Sequence, residues 1–299
     1  MENVLTVIAD PRRAGIDDSM IDGARAALAE LGAAPADAPD WLAPGVACDL
    51  GFARGDPVEV QTALRTRLAD AGVDVVAQPR DGRRRKLLVA DMESTIIANE
   101  MIDELAAVAG VGAKVAAITE RVVRGELEFA AALADRVAML AGLPTDTLDR
   151  LYARIEVMPG ARALVQTMRA HGATTALISG GFTCYSGRVR RAVGFDLDYA
   201  NRLDVVDGHV TGRVGRPILD RAGKRARLAK LAAKCGLGEA ETIAVGDGAN
   251  DLDMIEAAGM GVAFRAKPVV AESARARIDH GDLTALLYIQ GYRAADFRV

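Results

Sequence analysis

The sequence is poor in the residues from which disulfide scaffolds and zinc sites are built. Its 299 residues include three cysteines, three histidines and one tryptophan, and aromatic residues make up 4% of the chain. The cysteines contain no C-x-x-C pair and the histidines show no paired spacing, which argues against a disulfide framework and a zinc hydrolase. The formal net charge of −4 argues against a protein that wraps nucleic acid electrostatically.

Long apolar runs are also missing. The uncharged stretch from Gly172 to Gly187 contains four glycines and several hydroxyl side chains, which is not the composition of a membrane span. The apolar run from Val4 to Ala9 is too short for a signal peptide. With 51% hydrophobic and 26% charged residues, we expect a cytoplasmic protein. Its length corresponds to about two domains.

Residues 1–80 predict a small α+β domain. The order of its elements suits a ferredoxin-like or ACT-like domain, with a regulatory or packing role. The predicted elements are a strand at Asn3–Ile8, a helix at Asp17–Leu31, a loop at Ala33–Pro44, a strand at Val46–Phe52, a helix at Asp56–Gly72 and a strand at Val73–Ala77.

A charged segment at residues 81–86 separates this domain from the rest of the chain. Asp81-Gly82 predicts a turn, and the four cationic residues from Arg83 to Lys86 predict a solvated linker. Because no aromatic residues are interleaved with these cations, a nucleic-acid patch is the weaker interpretation.

Residues 87–299 alternate short apolar strands with helices. This alternation predicts an α/β domain with a Rossmann-like parallel sheet covered by helices on both faces. The predicted strands are Leu87–Ala90, Thr174–Ile178, Thr242–Val245 and Gly261–Phe264.

Three of these strands are followed by residues that can carry chemistry. Asp91 follows the first strand, Ser179-Gly180-Gly181 follows the second, and Asp247 and Asp251 follow the third. Ligands bind beyond the carboxyl ends of parallel strands, so we expect these residues to meet. The clustered carboxylates would repel one another without a cation, and oxygen ligands of this kind suit Mg²⁺.

An anion site is predicted beside the carboxylates. Ser179 and the backbone amides that follow it, at a helix N-terminus, form an anion-binding nest, and Lys224 adds a positive charge. A metal, an anion nest, a lysine and a nucleophilic carboxylate together are suited to phosphoryl transfer.

The four motifs together resemble the haloacid dehalogenase-like phosphatases, and within them the phosphoserine phosphatases. The motifs are Asp-x-acid-Ser-Thr at Asp91, Ser-Gly-Gly at Ser179, the distant Lys224, and Gly-Asp-Gly-x-Asn-Asp at Gly246. The resemblance covers about Leu87 to Tyr288 and implies a helical cap at about residues 97–158. Further segments that carry it are Ala98–Leu105, Gly125–Phe129, Leu133–Leu140 and Asn201–Leu203.

The resemblance implies hydrolysis of O-phosphoserine, the last step of serine biosynthesis, through an aspartyl-phosphate. It implies that Asp91 is the nucleophile and that Glu93 is the general acid and base. Ser179, the Gly180 amide and Lys224 would then bind the phosphoryl group, and the Asn250 amide would orient its neighbours. The resemblance also implies that Asp91, the Glu93 carbonyl and Asp247 bind Mg²⁺, with support from Asp251. For the substrate it implies that Glu100 binds the ammonium group, that Arg136 binds the carboxylate and that Phe129 closes over the site.

Glu93 departs from the family pattern, which has aspartate at this position. Glutamate keeps the proton-transfer chemistry but adds one methylene, roughly 1.5 Å of side chain. Taken alone, the sequence predicts that Glu93→Asp retains or raises kcat.

Two other functions remain open at this stage. One is a phosphatase or phosphotransferase for a different small phosphomonoester, with homoserine as a candidate acceptor. The other is a non-catalytic regulatory protein in which Glu93 marks a weakened site. The sequence also leaves open a homodimer through the N-terminal domain and serine binding there.

Overall fold

The computed structural model describes residues 3–13, 15–33, 37–123 and 126–299. The strands are β1 (Asn3–Ala9), β2 (Asp40–Ala43), β3 (Ala47–Phe52), β4 (Val73–Pro79), β5 (Leu87–Ala90), β6 (Thr174–Phe182), β7 (Leu197–Asn201), β8 (Leu203–Val206), β9 (His209–Val214), β10 (Thr242–Gly246), β11 (Met260–Phe264) and β12 (Ala276–Ile278). The helices are α1 (Asp18–Glu30), α2 (Pro57–Arg67), α3 (Met101–Val108), α4 (Gly112–Val123), α5 (Phe129–Ala138), α6 (Thr145–Tyr152), α7 (Ala161–Ala170), α8 (Thr183–Val193), α9 (Arg221–Lys234), α10 (Leu252–Ala257), α11 (Pro268–Ser273) and α12 (Ala285–Tyr288).

A six-stranded parallel sheet forms the centre of the larger part of the chain. Its strand order is β12-β11-β10-β5-β6-β7, so β5 lies between β10 and β6. The four residues of β5 are fully buried because helices cover both faces of the sheet. The predicted α/β fold is confirmed, and the carboxyl ends of β10, β5 and β6 lie side by side.

The N-terminal residues form a four-stranded antiparallel sheet with the order β2-β3-β1-β4. Its α+β element order agrees with the predicted ACT-like class. Leu5, Val7 and other residues of one face pack with α1 and α2. Ile8, Val76 and other residues of the opposite face join the core of the larger part. This sheet is therefore covered on both faces, like the central one.

The structure corrects two details of the N-terminal prediction. Asp40–Ala43, predicted as loop, is strand β2, because Trp41 pairs with Cys48 across a turn in which the Val46 amide donates to the Ala43 carbonyl at 3.0 Å. The predicted loop also includes residues 34–36, which lie outside the described residues. Helix α2 ends at Arg67, before the predicted end at Gly72.

The cationic run from Arg83 to Lys86, predicted as a solvated linker, contacts both parts of the chain. Arg84 and Lys86 are exposed, whereas Arg83 and Arg85 are half-buried. Arg83 Nη2 lies 2.7 Å from the buried carboxylate of Asp49 in β3. The Arg84 guanidinium stacks 4.3 Å from the ring centroid of Tyr292. These contacts restrict the segment, and both the linker and the domain boundary stay predictions.

Four helices, α3 to α6, follow β5 within the segment predicted as the cap, and we refer to these four helices as the cap. The hairpin of β8 and β9 contacts this segment, since the Gly142 amide donates to Val210 and the Thr145 amide donates to Gly208. Gly125, which belongs to one of the cap motifs, lies outside the described residues. Among the residues that the structure describes, no helix is long and apolar enough to cross a membrane.

Candidate active site

The candidate site lies at the carboxyl edge of the three central strands. Asp91 directly follows β5, and Asp247 directly follows β10. Ser179 lies within β6, the neighbour of β5 on the other side. The Asp91 amide donates to the Val245 carbonyl at 2.9 Å, which fixes the chain as it leaves the strand. Parallel pairing thus brings together side chains that are far apart in sequence.

Lys224 connects Asp91 with Asp251 in the interior. Its Nζ lies 2.6 Å from Asp91 Oδ1 and 2.6 Å from Asp251 Oδ1, and the lysine is fully buried. Burial by itself lowers the pKa of Lys224, but the two carboxylates outweigh burial and raise that pKa. The lysine therefore stays charged and neutralises part of the charge beside Asp91.

Asp251 is held by the backbone of its own turn. Its Oδ2 accepts a hydrogen bond from the Gly248 amide at 3.2 Å. A Cβ atom on Gly246 would lie 2.5 Å from the Asp251 carboxyl group, so a side chain at that position would displace the carboxylate. The glycine that ends β10 is thus required by close packing.

Three carboxylates form a cluster that suits a divalent cation. One oxygen from each of Asp91, Asp247 and Asp251 lies within 4.8 Å of the others. Burial, followed by the charge of Asp251, raises the pKa of Asp91. The same causes, together with Glu100, raise the pKa of Asp247 to about 6. Hard oxygen donors with excess negative charge are the donor set that Mg²⁺ prefers, so these residues fit the metal.

The Ser-Gly-Gly segment, predicted to follow the second strand, instead lies in the last residues of β6, because the strand continues to Phe182 with a register shift against β7 after Ile178. Ser179 is fully buried, and its Oγ accepts a hydrogen bond from the Gly181 amide at 2.8 Å. The Gly180 carbonyl accepts from Asn201 Nδ2 at 2.8 Å, and Asn201 Oδ1 accepts from the Leu219 amide at 2.7 Å. Asn201 therefore fixes the position of the predicted phosphate-binding segment from behind.

The position of Glu93 is fixed by a close contact with Gly181 and by a hydrogen bond to the start of helix α3. Its Oε1 accepts a hydrogen bond from the Met101 amide at the start of α3, at 2.9 Å. A Cβ atom on Gly181 would lie 2.6 Å from Glu93 Oε2. Burial, and next the charge of Glu100, raise the pKa of Glu93 to about 8. A carboxyl group with this pKa keeps its proton at neutral pH, as a general acid requires.

A second bond joins the core to the same helix start. Ser94 Oγ donates to Glu100 Oε1 at 2.7 Å. Ser94 has a φ of 55°, a left-handed conformation that few residues other than glycine adopt. This turn carries the chain from Glu93 towards the cap, so that Glu93 and Ser94 hold two successive residues, Glu100 and Met101.

Phe129 and Asn250 flank Gly180 from two directions. A Cβ atom on Gly180 would lie 3.2 Å from Phe129 Cζ and 3.8 Å from Asn250 Nδ2. Phe129 begins α5 of the cap, and Asn250 belongs to the turn after β10. The cap thus reaches the core beside the predicted phosphate-binding segment.

Arg136 lies inside the cap and faces acidic residues of the site. It is 8% exposed, and its Nε and Nη1 donate to the Ala132 carbonyl and to Thr119 Oγ1, each at 3.2 Å. Burial lowers its pKa, and the charges of Asp103, Glu93 and Glu100 oppose that change. Its guanidinium can still offer donors to a carboxylate of a small ligand.

Three further residues contribute to this site although the sequence predicts no role for them beyond membership of a motif. They are Asn201, Ser94 and Thr95, of which Thr95 donates from its Oγ1 to Asp247 Oδ1 at 3.3 Å. The position of Ser94 and Thr95 between Glu93 and the cap was a usable signal. Nothing in the local pattern around Asn201 indicates that its amide bridges two loops.

Comparison with known proteins supports the same family. Residues 88–256 match the family described as haloacid dehalogenase-like hydrolase. A phosphoserine phosphatase of Streptomyces coelicolor is 45% identical over 234 residues, which are 78% of this chain and 57% of that protein. The chain thus matches little more than half the length of this relative.

Two solved structures are similar in fold. A HAD family hydrolase from Salmonella enterica serovar Typhi matches with a TM-score of 0.86 at 28% identity, over 97% of this chain and 98% of that one. A phospho-aspartyl intermediate analogue of a phosphoserine phosphatase matches with a TM-score of 0.65 at 38% identity, over 69% of this chain and 98% of that one. With its family match, its relatives and its site geometry, the chain belongs to the haloacid dehalogenase-like hydrolases.

Proposed function

We propose that this chain is a phosphoserine phosphatase, which hydrolyses O-phosphoserine to serine and phosphate with Mg²⁺. The observation that carries the proposal is the position of Asp91. Its Oδ1 lies 2.6 Å from Lys224 Nζ, and its carboxylate belongs to a cluster with Asp247 and Asp251. A carboxylate held between a cation and a metal-type cluster is suited to attack phosphorus. The relatives described above carry the name of this activity.

The first step forms an aspartyl-phosphate. An Asp91 carboxylate oxygen attacks phosphorus, and the bond between phosphorus and the serine oxygen breaks. Glu93, whose pKa is raised to about 8, gives its proton to the leaving serine oxygen. Lys224, Ser179 and the Gly180 amide stabilise the charge on the phosphoryl oxygens as the bond order changes.

The second step releases phosphate. Water attacks phosphorus, the bond to Asp91 breaks, and Glu93 accepts the proton of the attacking water. The same carboxyl group therefore serves as acid and then as base, which returns Glu93 to its protonated state. Asp91 leaves as a carboxylate that Lys224 again neutralises.

Asp91, the Glu93 carbonyl and Asp247 would hold Mg²⁺, with Asp251 in support. The bound ion would supply charge neutralisation at the phosphoryl group. Asp251 Oδ1 and Oδ2 already contact Lys224 and the Gly248 amide. We therefore propose that Asp251 mainly fixes the positions of Lys224 and of the turn after β10.

The cap residues would select an amino-acid phosphate. Glu100, exposed at the start of α3, would take the substrate ammonium, and Arg136 would take its carboxylate. Phe129, against Gly180, would close the site from water, and the Asn250 amide would orient its neighbours. A zwitterion requires one anion and one cation, and this pair supplies both.

The remaining features of the proposal concern the whole protein. The proposed location is the cytoplasm, a reducing compartment that suits the three free cysteines. A place in serine biosynthesis follows from the proposed product, serine. A homodimer through the N-terminal sheet, with residues 1–80 as a regulatory or packing domain, belongs to the same proposal.

A substrate panel with one cap variant, Arg136→Gln, tests the proposed substrate. Phosphate release is measured for O-phospho-L-serine, O-phospho-L-homoserine and glycerol 3-phosphate. We expect the highest kcat/KM for O-phospho-L-serine, and a loss of about tenfold or more for this substrate in Arg136→Gln, because a charged hydrogen bond is removed. Glycerol 3-phosphate, which lacks both charged groups, should be hydrolysed equally by the wild type and by Arg136→Gln. An equal loss on both substrates would contradict the assignment of Arg136.

A further inference from the structure

A groove lies between the N-terminal sheet and the larger part of the chain, away from the candidate active site. Its cavity of about 670 Å³ is lined on one side by α2, including Gln61 and Arg65. Residues 271–275 and Arg277 line the other side, together with Gly259 and Met260 at the start of β11. Because these residues precede β11 or surround β12, the groove faces the amino edge of the sheet, whereas Asp91 and Asp247 lie at the carboxyl edge.

Cations outnumber acids in this lining. Four arginines line the cavity, namely Arg65, Arg85, Arg275 and Arg277, against the two acidic residues Asp56 and Glu272. Arg277 forms an ion pair with Asp279 beside the groove. The Arg85 Nη1 is already used, since it donates to the Gly82 and Ala240 carbonyls. Arg275 is exposed, and its Nη1 donates to the Gly259 carbonyl at 3.4 Å. Among the described ion pairs none involves Arg65, Arg85 or Arg275, so the positive charge of these three arginines is not paired with a carboxylate.

Arg65 is the unusual member of this group. Within the described ranges, no oxygen accepts a hydrogen bond or forms an ion pair with its guanidinium, and its Nη2 is buried without a partner. Burial lowers the pKa of Arg65, and the charge of Arg277 lowers it further, whereas Asp279 and Asp74 oppose the change. Burial also lowers the pKa of Arg85, and the charge of Arg275 lowers it further. The four arginines that line the groove thus include cations close enough to repel one another in a partly buried space.

A half-buried guanidinium without an acceptor is unfavourable, because it loses water and gains no hydrogen bond in return. An oxyanion in the groove would reduce the repulsion and accept hydrogen bonds from the unpaired guanidinium groups, since a guanidinium offers a planar fork to phosphate or carboxylate. We propose that this groove is a binding site for a small multivalent oxyanion, held by Arg65 and Arg275 with Arg277 and Arg85 at its sides.

The walls of the groove are already in place. Gln61 Nε2 donates to the Arg275 carbonyl at 2.9 Å, and Gln61 Oε1 accepts from the Ala77 amide at 3.0 Å. This one side chain connects α2, β4 and the segment before β12. A ligand in the groove would contact both parts of the chain and would stabilise their association by mass action.

The size of the cavity favours a molecule larger than one phosphate ion. About 670 Å³ falls within the range of roughly 300–1,000 Å³ that is usual for small-molecule sites. The shared chemistry is several oxyanion groups on a compact scaffold, from either phosphate or carboxylate groups. ATP and citrate represent these two sources, and their binding can be compared directly.

Isothermal titration calorimetry of the full chain, with EDTA present, tests the site. Each probe is titrated up to millimolar concentration into wild type, Arg65→Gln and Arg67→Gln. Arg67 lies on the same helix but is exposed and forms an ion pair with Glu30, so it is the matched control. We expect one probe to bind with 1:1 stoichiometry, and we expect Arg65→Gln to raise its Kd by about tenfold or more. Arg67→Gln should leave Kd within about twofold, as is usual for an exposed pair.

Binding of ATP alone would assign the site to phosphate groups, and binding of citrate alone to carboxylates. Both results support the proposal if Arg65→Gln weakens the binding. The proposal is overturned if neither probe binds the wild type, or if Arg65→Gln and Arg67→Gln have equal effects. Circular dichroism and hydrolysis of O-phospho-L-serine, both expected to be unchanged, verify that Arg65→Gln is folded.

Discussion

The Glu93 carboxylate accepts a hydrogen bond from the Met101 amide at 2.9 Å, so the candidate general acid is also attached to the first turn of the cap. A helix N-terminus offers unpaired amides and a favourable field to a carboxylate. The additional methylene of glutamate therefore has a structural use. It lets one side chain serve the reacting centre and the cap together.

Shortening Glu93 should reduce activity. In Glu93→Asp the carboxyl group would retract from the Met101 amide, and a displacement on the order of 1 Å costs up to ~10²-fold in rate. We expect kcat/KM for O-phospho-L-serine to fall by at least about tenfold. This reverses the expectation from the sequence alone. Steady-state kinetics decide between them, because an unchanged or higher kcat would show that the bond to the cap is dispensable.

A methyl group on Gly181 should disturb the same carboxylate. The Cβ atom would lie 2.6 Å from Glu93 Oε2, so Gly181→Ala is expected to lower kcat. The loss should be smaller when Gly181→Ala is introduced into Glu93→Asp, because the shorter side chain leaves room. The coupling energy expected from such a double-mutant cycle is about 0.5–3 kcal/mol. Strictly additive losses would show that the contact does not matter.

Removal of the Lys224 charge should destabilise the protein. Lys224→Met leaves Asp91 and Asp251 buried without their cation, and breaking a buried pair costs about 3–5 kcal/mol in free energy of unfolding. Urea unfolding at neutral pH measures this cost, with Lys230→Met on the exposed side of α9 as the control. A loss no larger than that of the control would contradict the assigned pairing.

The pH dependence of the Lys224→Met defect gives a second test of that pairing. Burial raises the pKa of Asp91 in the folded protein above its value in the unfolded chain. The ionised form is therefore penalised by folding, and the penalty grows as pH rises from the unfolded towards the folded pKa. We expect the stability deficit of the variant to shrink as pH is lowered towards 4. A deficit that is independent of pH would argue against buried carboxylate charge as its cause.

Metal affinity should fall in mild acid. The pKa of Asp247 is raised to about 6, by burial and then by Asp251 and Glu100. A ligand carboxylate must lose its proton to bind Mg²⁺, so protons compete with the metal below that pH. Titrations of Mg²⁺ between pH 5 and 8 should show affinity that rises with pH, because the pKa of the second ligand Asp91 is raised as well. Below the pKa of Asp247, its protonation should contribute a decrease of up to about tenfold per pH unit. In Asp247→Asn the weaker binding that remains should depend less steeply on pH, and an unchanged slope would contradict the role of Asp247.

The cationic run at residues 83–86 should resist trypsin, although it offers four consecutive cleavage sites. Arg83 is tied to the buried Asp49, and its neighbours are also engaged. Arg83→Met should open the segment by leaving Asp49 unpaired, and cleavage at residues 84–86 should accelerate. Rapid cleavage of the wild type at these positions would favour the solvated linker that the sequence predicts.

Several strands of the central sheet could be predicted because each is a short apolar run followed by polar residues or glycine. The predicted Leu87–Ala90 agrees with β5 at both ends, and Thr242–Val245 differs from β10 by one residue. Strand β2 was not predictable in this way, because Asp40–Ala43 is stabilised by its partner β3 rather than by its own pattern.

The candidate site was predictable as far as motif residues define it. Asp91, Ser179, Lys224 and Asp247 meet because parallel strands deliver them to one edge. The bond from Glu93 to Met101 and the bridge made by Asn201 depend on how separate loops pack, which no local pattern specifies. The engaged state of Arg83 likewise depends on Asp49, which lies in another sheet.

The most direct test of the central claim is phosphate release from O-phospho-L-serine, measured with and without Mg²⁺, with Asp91→Asn as the blank. We predict turnover that requires Mg²⁺ and disappears in Asp91→Asn, because both the nucleophile and the metal cluster include this carboxylate. Folding of the variant is verified by circular dichroism. Absence of turnover in the folded wild type, or equal turnover in Asp91→Asn, would contradict the proposed function.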